Sequence, residues 1–510
     1  MELNLSTQTV NVTETIYDGT VEQPLECDVL LPDSSPDIQR ILRCEVTPAL
    51  LSAGVNGEKL EIDGLAAAHL YYLDEEGLLN QVEYKIPYTK SIELKSAPTS
   101  PHVSVTQSVD YFNCRAVSPR RLDMRGAVSI RARVTAQEEE QAVNGAQEGG
   151  LQFLRETSET VQTLPQGCRP FTLREELELG YGKPPVGQVI RAGAVGEVTD
   201  CKVISGKAVT KGELRLRVLY RSEEDPTQLE LMEYTLPVSQ VIDLEGAQED
   251  CGCQARYEVT GLEVTPRANG EGENRSLAVE LSANACADAY RSQELETASD
   301  CYSTLYETKP TVRPMGFLRL IELVDDTFPY QEQLSLPQGT QEVVDLWCVA
   351  GPPAVRTDGE GVQVSGKLTV GLLLRDQEGQ LSYQEQARDY SRTLPVREGT
   401  ENLVFHPRVW VGDCSFNLTG QDQVEVRCSL QLQGPLFSLT RKKVISDVAV
   451  EESRPKARRE NLLYLYYASQ REPLWEIAKR YNTSVEAIQE GNQLEDTVLN
   501  EKKMLLIPMN

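Results

Sequence analysis

The chain repeats itself at an interval the size of a domain. Leu60–Gly77, Ala208–Asp225 and Val362–Gly379 align by eye. Each carries a Gly, a β-like run, an apolar Tyr or Leu eight residues past the Gly (Tyr72, Tyr220, Leu374) and an acidic turn. Gly64 and Gly212 are 148 residues apart, and Gly212 and Gly366 are 154 apart. A period of that length means whole folding units in tandem rather than a solenoid. Flanking pieces repeat too. Ser35–Leu42 parallels Pro184–Ile190, and Pro87–Leu94 parallels Pro237–Leu244, whereas the third copy, Asp389–Val396, lacks the leading proline.

Helical periodicity is scarce before residue 470. Ala127–Val134, Leu277–Leu281 and Val424–Leu432 alternate apolar and polar residues, as strands with one wet face do. Gly, Pro and Asp punctuate the runs. The fold class expected is therefore mainly β, with three antiparallel sandwich or barrel-like units over 1–150, 151–305 and 306–450. The repeat Gly marks a bulge or a close backbone approach. Gln137–Gly150 reads as an acidic connector and Asp300–Pro310 as the passage to the third unit. Arg454–Arg459 reads as a basic, solvated tether within a linker over 451–460.

The last segment, 461–510, has a different grammar. Leu474, Ile477, Ala478 and Tyr481 share one helical face, and Pro473 suits the first helical position. Thr483 with Glu486 three residues on reads as a capping box that starts a second helix carrying Val485 and Ile488 inward. Leu463–Ala468 and Met504–Pro508 read as strands, giving a small βααβ module. No cysteine follows Cys428, so its core must hold it without a disulfide.

Charge and composition narrow the function classes. A net charge of −28 repels nucleic acid phosphates and anionic lipid, and its ordinary role is solubility. The start, Met1–Val10, has neither a basic n-region nor an apolar h-region, and no run is long enough to span a bilayer. The expected location is the cytoplasm. Twelve dispersed cysteines read there as buried reduced thiols. His69, His102 and His406 are the only histidines, each on a strand-like stretch, so neither a metal site nor a histidine triad is expected. No nucleophile elbow, phosphate loop, dinucleotide fingerprint or zinc-hydrolase pattern occurs, and no cofactor or catalytic residue is assigned.

Leu474-Trp475-x-Ile477-Ala478-x-x-Tyr481, Asn482-Thr483-x-Val485-x-x-Ile488 and Leu506-Ile507-Pro508 resemble a LysM domain. That resemblance implies a module of the type that binds the N-acetylglucosamine backbone of peptidoglycan and chitin. Two departures stand out. Arg471-Glu472-Pro473 replaces the family's usual Gly-Asp-Thr, and Glu501-Lys502-Lys503 replaces Val-Gly-Gln. Both changes fall on the family's sugar groove, where glycine lets a ligand approach the backbone. They suggest a scaffold turned to a protein partner. The repeats, with Cys27-Asp-Val-Leu-Leu-Pro32-Asp33-x-x-Pro36-Asp37-Ile38, resemble the sporulation-associated SPOCS domain. Tandem SPOCS segments ending in one LysM resemble spore morphogenesis proteins of anaerobic endospore formers.

The resemblance implies a non-catalytic adaptor of the mother-cell cytoplasm, recruited to the forespore surface. Its LysM module would dock there on the ATPase of the coat basement layer, with other coat proteins as possible partners of the body. The alternative function is peptidoglycan binding in the spore envelope. Leu463, Leu465 and Tyr467 lie on the outward face of the first strand and form the expected docking patch. Trp475 is the candidate anchor, with core packing as its competing role. Arg471, Glu472, Leu474, Lys502 and Lys503 complete the binding set.

Overall fold

Leu60, Ile62, Ala66, Ala68, Leu70 and Tyr72 project to one side of a single strand, and all are fully buried. The same two-residue rhythm governs most of the molecule. The computed structural model describes residues 4–99, 101–146, 150–358, 361–396, 402–420, 422–456 and 463–508. The first sandwich comprises β1 (Leu5–Leu30), β2 (Arg40–Asn56), β3 (Lys59–Leu73), β4 (Leu79–Glu93), β5 (His102–Ser118) and β6 (Arg121–Ala146). One sheet has the order β2-β3-β4 and the other β1-β6-β5.

Two more sandwiches follow on the same plan. The second has β7 (Leu151–Thr163), β8 (Gly167–Glu178), β9 (Val186–Ile204), β10 (Lys207–Ser222), β11 (Leu229–Asp243), β12 (Gly252–Ala268) and β13 (Asn274–Ser303). The third has β14 (Tyr306–Ser335), β15 (Thr340–Ala350), β16 (Ala354–Asp358), β17 (Gly361–Asp376) and β18 (Leu381–Pro395). It is completed by β19 (Leu403–Phe405), β20 (Arg408–Leu418) and β21 (Gln423–Pro455). The extra strands of the second and third sandwiches are interruptions. Pro165 stands between β7 and β8, Pro352 and Pro353 between β15 and β16, and Pro407 between β19 and β20. Each of these breaks divides a strand that is continuous in the first sandwich, and each falls at a proline, which cannot donate to the ladder.

The repeated residues now have reasons. Gly64 faces Tyr88 across the β3–β4 pair and Gly366 faces Tyr390 across β17–β18. A Cβ at either glycine would overlap the tyrosine ring, while at Gly212 it would overlap the Glu197 carbonyl. The tyrosine eight residues on ties the second repeated piece to the first. Tyr72 donates to the Pro36 carbonyl at 3.0 Å, and Tyr220 to the Pro184 carbonyl at 2.9 Å. Leu374 fills the place without the hydroxyl.

The three sandwiches close into a ring. β4 packs on β9, β11 on β15, and β18 back on β2, while the long strands β6, β13 and β21 meet one another. Tyr71, Leu219 and Leu373, each seven residues past its repeat glycine, share one buried cluster with Ile190, Val344 and Trp347. A second three-way cluster joins Val10 and Ala142, Leu295, and Met315, Phe317 and Val444. Charge crosses the same seams. Arg191 lies 3.8 Å from Glu45 and 3.7 Å from the fully buried Asp345, which also meets Arg217 at 3.0 Å. Burial pushes the Asp345 carboxyl up, against the pull of both arginines. A chamber of about 1350 Å³ between the units is lined by side chains from all three, Arg133, Arg256 and Arg408 among them.

Three sequence expectations are corrected here. Gln137–Ala146 is no connector: it continues β6, pairing with Leu5–Thr13 and burying Ala142 and Val143. The cysteines are dispersed in sequence but not in space, and Cys168 and Cys286, directly opposite across β8–β13, form a disulfide. Of the expected linker, Glu451–Pro455 is the end of β21 and Lys456 is bonded to the body; 457–460 lies outside the described residues.

Candidate functional site

The C-terminal module comprises β22 (Leu463–Ala468), α1 (Leu474–Tyr481), α2 (Val485–Asn492) and β23 (Lys503–Pro508). The two strands pair antiparallel, with Leu465 opposite Leu506 and Tyr467 opposite Met504. Period two divides each strand. Ala468, Leu505 and Ile507 turn inward onto Leu474, Ile477, Ala478 and Ile488, which form the module's own core. The second helix is capped one residue later than the sequence suggests: Ser484 accepts the Ala487 N–H at 3.1 Å. Thr483 is instead fully buried, and its hydroxyl oxygen has no partner, so the expected box with Glu486 is not formed.

The other face of the sheet is apolar and open. Leu463, Leu465, Tyr467, Met504 and Leu506 are 40–78 % exposed, with the body of the protein in place. Five such side chains on one flat two-stranded surface make a contiguous patch of the kind that marks an interaction site. Met504 and Leu506 were missing from the expected set. Their signal was the alternation of β23 against Leu505 and Ile507, read together with its pairing to β22.

The loop carrying Arg471–Pro473 is tied to Thr497 and Leu499, just ahead of the second altered stretch. Arg471 donates its N–H to the Leu499 carbonyl at 2.8 Å, and Leu474 donates to Thr497 at 2.8 Å. Leu499 donates back to Glu472 at 3.3 Å. Arg471 sits at φ 64°, a left-handed conformation that glycine adopts without strain. Arg471, Lys502 and Lys503 are exposed next to the patch.

Three residues of the expected binding set are otherwise engaged. Leu474 is fully buried in the module core. Glu472 accepts from the Ser469 N–H at 2.8 Å and the Tyr466 hydroxyl at 2.7 Å, which makes it a loop brace. Trp475 is buried too, but its neighbour is the end of β13. Its ring meets Tyr302 edge-on at 4.9 Å, and its Nε1 donates to the Asp300 carboxylate at 2.9 Å. The anchor reading of Trp475 toward an outside partner is thus corrected: the indole holds the module to its own body.

The rest of that contact is polar. Lys479 reaches Asp300 at 2.6 Å. The Tyr302 hydroxyl donates to the Thr483 carbonyl at 2.6 Å. Lys456 donates to the Ser303 carbonyl and to Asn482 Oδ1, both at 2.8 Å. Burial raises the Tyr302 phenol, which keeps it a donor. The helices therefore face the body and the outer sheet face points away from it.

Comparison with known proteins agrees with this division. A SipL, SPOCS-domain family model matches residues 37–117 and 185–266, and a LysM-domain model matches 470–508. The first two matches run over β2–β5 and β9–β12, and β15–β20 repeats their order in the third sandwich. No curated protein matches the chain. Both domain types are non-catalytic and of the binding kind, and no helix among the described residues is long and apolar enough to cross a membrane.

Proposed function

We propose that this chain, a sporulation-associated protein carrying SPOCS segments and a C-terminal LysM domain, is an adaptor in spore coat assembly. Its LysM head binds a protein, the ATPase of the coat basement layer, at the forespore surface on the mother-cell side. The SPOCS body is the rigid mount, and other coat proteins are its prospective partners. The observation that supports this most is the open apolar face of Leu463, Leu465, Tyr467, Met504 and Leu506. A glycan is bound through hydroxyl hydrogen bonds and ring stacking in a concave groove. An open face made mostly of leucine and methionine instead gains from the removal of apolar area from water, as a protein interface does. The exposed Arg471, Lys502 and Lys503 form a cationic rim that suits an acidic surround on the partner.

The test compares the full chain with its Leu465→Glu and Leu506→Glu variants. Binding to the purified coat ATPase should weaken by at least about tenfold in each, the effect of a charge placed at a desolvated contact. Melting should be unchanged, because both side chains already face water. Sedimentation with purified peptidoglycan supplies the rival outcome. Robust co-pelleting that the variants retain, together with undiminished ATPase binding, would establish the glycan reading instead.

A further inference from the structure

The three units do not line the chamber between them alike. On the wall supplied by the first sandwich, Arg131 and Arg133 of β6 turn into the chamber side by side. Residues two apart share a strand face, at a spacing of about 6.6 Å. Across β1–β6 the arginines are opposite Thr20 and Asp18, and across β5–β6 opposite Thr106 and Ser104. All four of those residues also face the chamber. The wall is therefore three strands wide, with two guanidiniums in its middle strand and three hydroxyls and one carboxylate beside them. Asp18, Thr20, Thr106 and Arg131 are exposed, so water reaches it.

Charge on this wall is not balanced. Asp18 is 4.0 Å from Arg133 Nε, beyond hydrogen-bond reach, and that buried nitrogen has no hydrogen-bond partner. Arg131 has neither an ion pair nor a hydrogen bond among the described residues. The chamber's other two arginines are already engaged: Arg256 bonds Glu258 and Asp288, and Arg408 bonds Glu258. Of the remaining acids that face the chamber, Asp110 accepts from Ser129 at 2.7 Å and Glu197 lies 2.8 Å from Arg215. Burial, reinforced by Glu197, pushes the Asp325 carboxyl up. The third sandwich adds His406, which burial and Arg133, with Arg131, hold at about 4 against Asp18. That imidazole is neutral at pH 7. One carboxylate thus faces two arginines that repel each other.

We propose that this wall of the chamber binds a small molecule bearing a multivalent oxyanion, a phosphate or a polycarboxylate, through Arg131 and Arg133. A guanidinium presents paired N–H donors that match the spacing of phosphate or carboxylate oxygens, and two of them side by side suit a group with at least two negative charges. The hydroxyls of Thr20, Ser104 and Thr106 are free to turn as donors to the remaining oxygens. Bound negative charge relieves the repulsion between the arginines. The chamber walls focus their field, so the site attracts an anion even on a chain whose net charge is −28. At about 1350 Å³ the chamber exceeds an ordinary small-molecule pocket of roughly 300–1,000 Å³, which leaves room for a ligand larger than the anionic group itself.

Full-length protein, in a phosphate-free buffer at fixed ionic strength, is titrated in a calorimeter with inorganic phosphate and separately with citrate. Saturable binding of one ion per chain is expected from at least one of them, and the tighter of the two tells which oxyanion class the wall takes. Arg131→Ala and Arg133→Ala should each weaken that binding by at least about tenfold, the effect of a lost hydrogen bond between charged groups. Arg174→Ala, which removes an exposed arginine of β8 that does not face the chamber, should leave it unchanged. Circular dichroism and the melting midpoint check that the variants are folded. Arg131 has no partner to lose, so its variant keeps the test decisive even if Arg133→Ala fails to fold. The absence of saturable heat from both ions would overturn the proposal. So would binding that falls no further in Arg131→Ala than in Arg174→Ala.

Discussion

Arg471 holds a conformation that belongs to glycine, at the place where LysM sequences usually carry one. A side chain in the left-handed region is less stable there than glycine by about 1 kcal/mol. Arg471→Gly should therefore raise the stability of the module by roughly 0.5–1 kcal/mol, read from its denaturation midpoint, even though the charge beside the apolar face is lost. A drop in stability would mean that the guanidinium has a packing role. Glu258 supplies a second test. Burial works to raise its carboxyl, but Arg256 and Arg408 outweigh that and hold it at about 2, against 4.5 for a free glutamate. The folded state thus binds the proton less readily than the unfolded chain. This carboxylate stabilises the fold fully above about pH 4.5, and the contribution is lost as the pH falls through about 2. Glu258→Gln should flatten the acid limb of stability against pH. At neutral pH it should destabilise by on the order of 2 kcal/mol, after discounting for partial exposure.

Among the elements, the contact between α1 and the end of β13 decides how the head is presented. Asp300 accepts from both Trp475 and Lys479, so Asp300→Ala removes two charge-assisted bonds at once. Amide exchange over Leu474–Tyr481 should accelerate about tenfold or more, the effect of roughly 1.5–3 kcal/mol of lost hydrogen bonding. Binding to the proposed partner, the coat ATPase, should change far less, because the outer sheet face takes no part in the contact. Loss of that binding would show that the orientation of the head, and not its surface alone, is recognised. Much at this scale was legible in the chain. Alternation located the strands around Gly64, Gly212 and Gly366, and the two-faced pattern of Leu463–Ala468 separated core from patch. The docking of Trp475 was not, because Asp300 and Tyr302 are 175 and 173 residues away and nothing local couples them. The shift from Thr483 to Ser484 as the cap is a one-residue matter decided by tertiary burial of Thr483 against Tyr302. The acidic run at Glu138–Glu140 looked like a loop because its partner, β1, lies at the far end of the repeat.

For the whole molecule, the three sandwiches are bound by seams as well as by sequence. His102 of the first meets Asp288 of the second at 3.1 Å, and Arg408 of the third bonds Glu258 of the second. Arg256 bridges the two carboxylates at 2.8 and 2.7 Å. With Asp345, Arg191 and Glu45 at the other seam, each unit's charges are completed by another unit. Three separate polypeptides shaped this way would form a trimer that fell apart on dilution, since every subunit would have to find two others. Here the chain supplies all three at a fixed ratio and a very high local concentration. One head is thereby attached to every three-part platform, whatever the abundance of the protein in the cell.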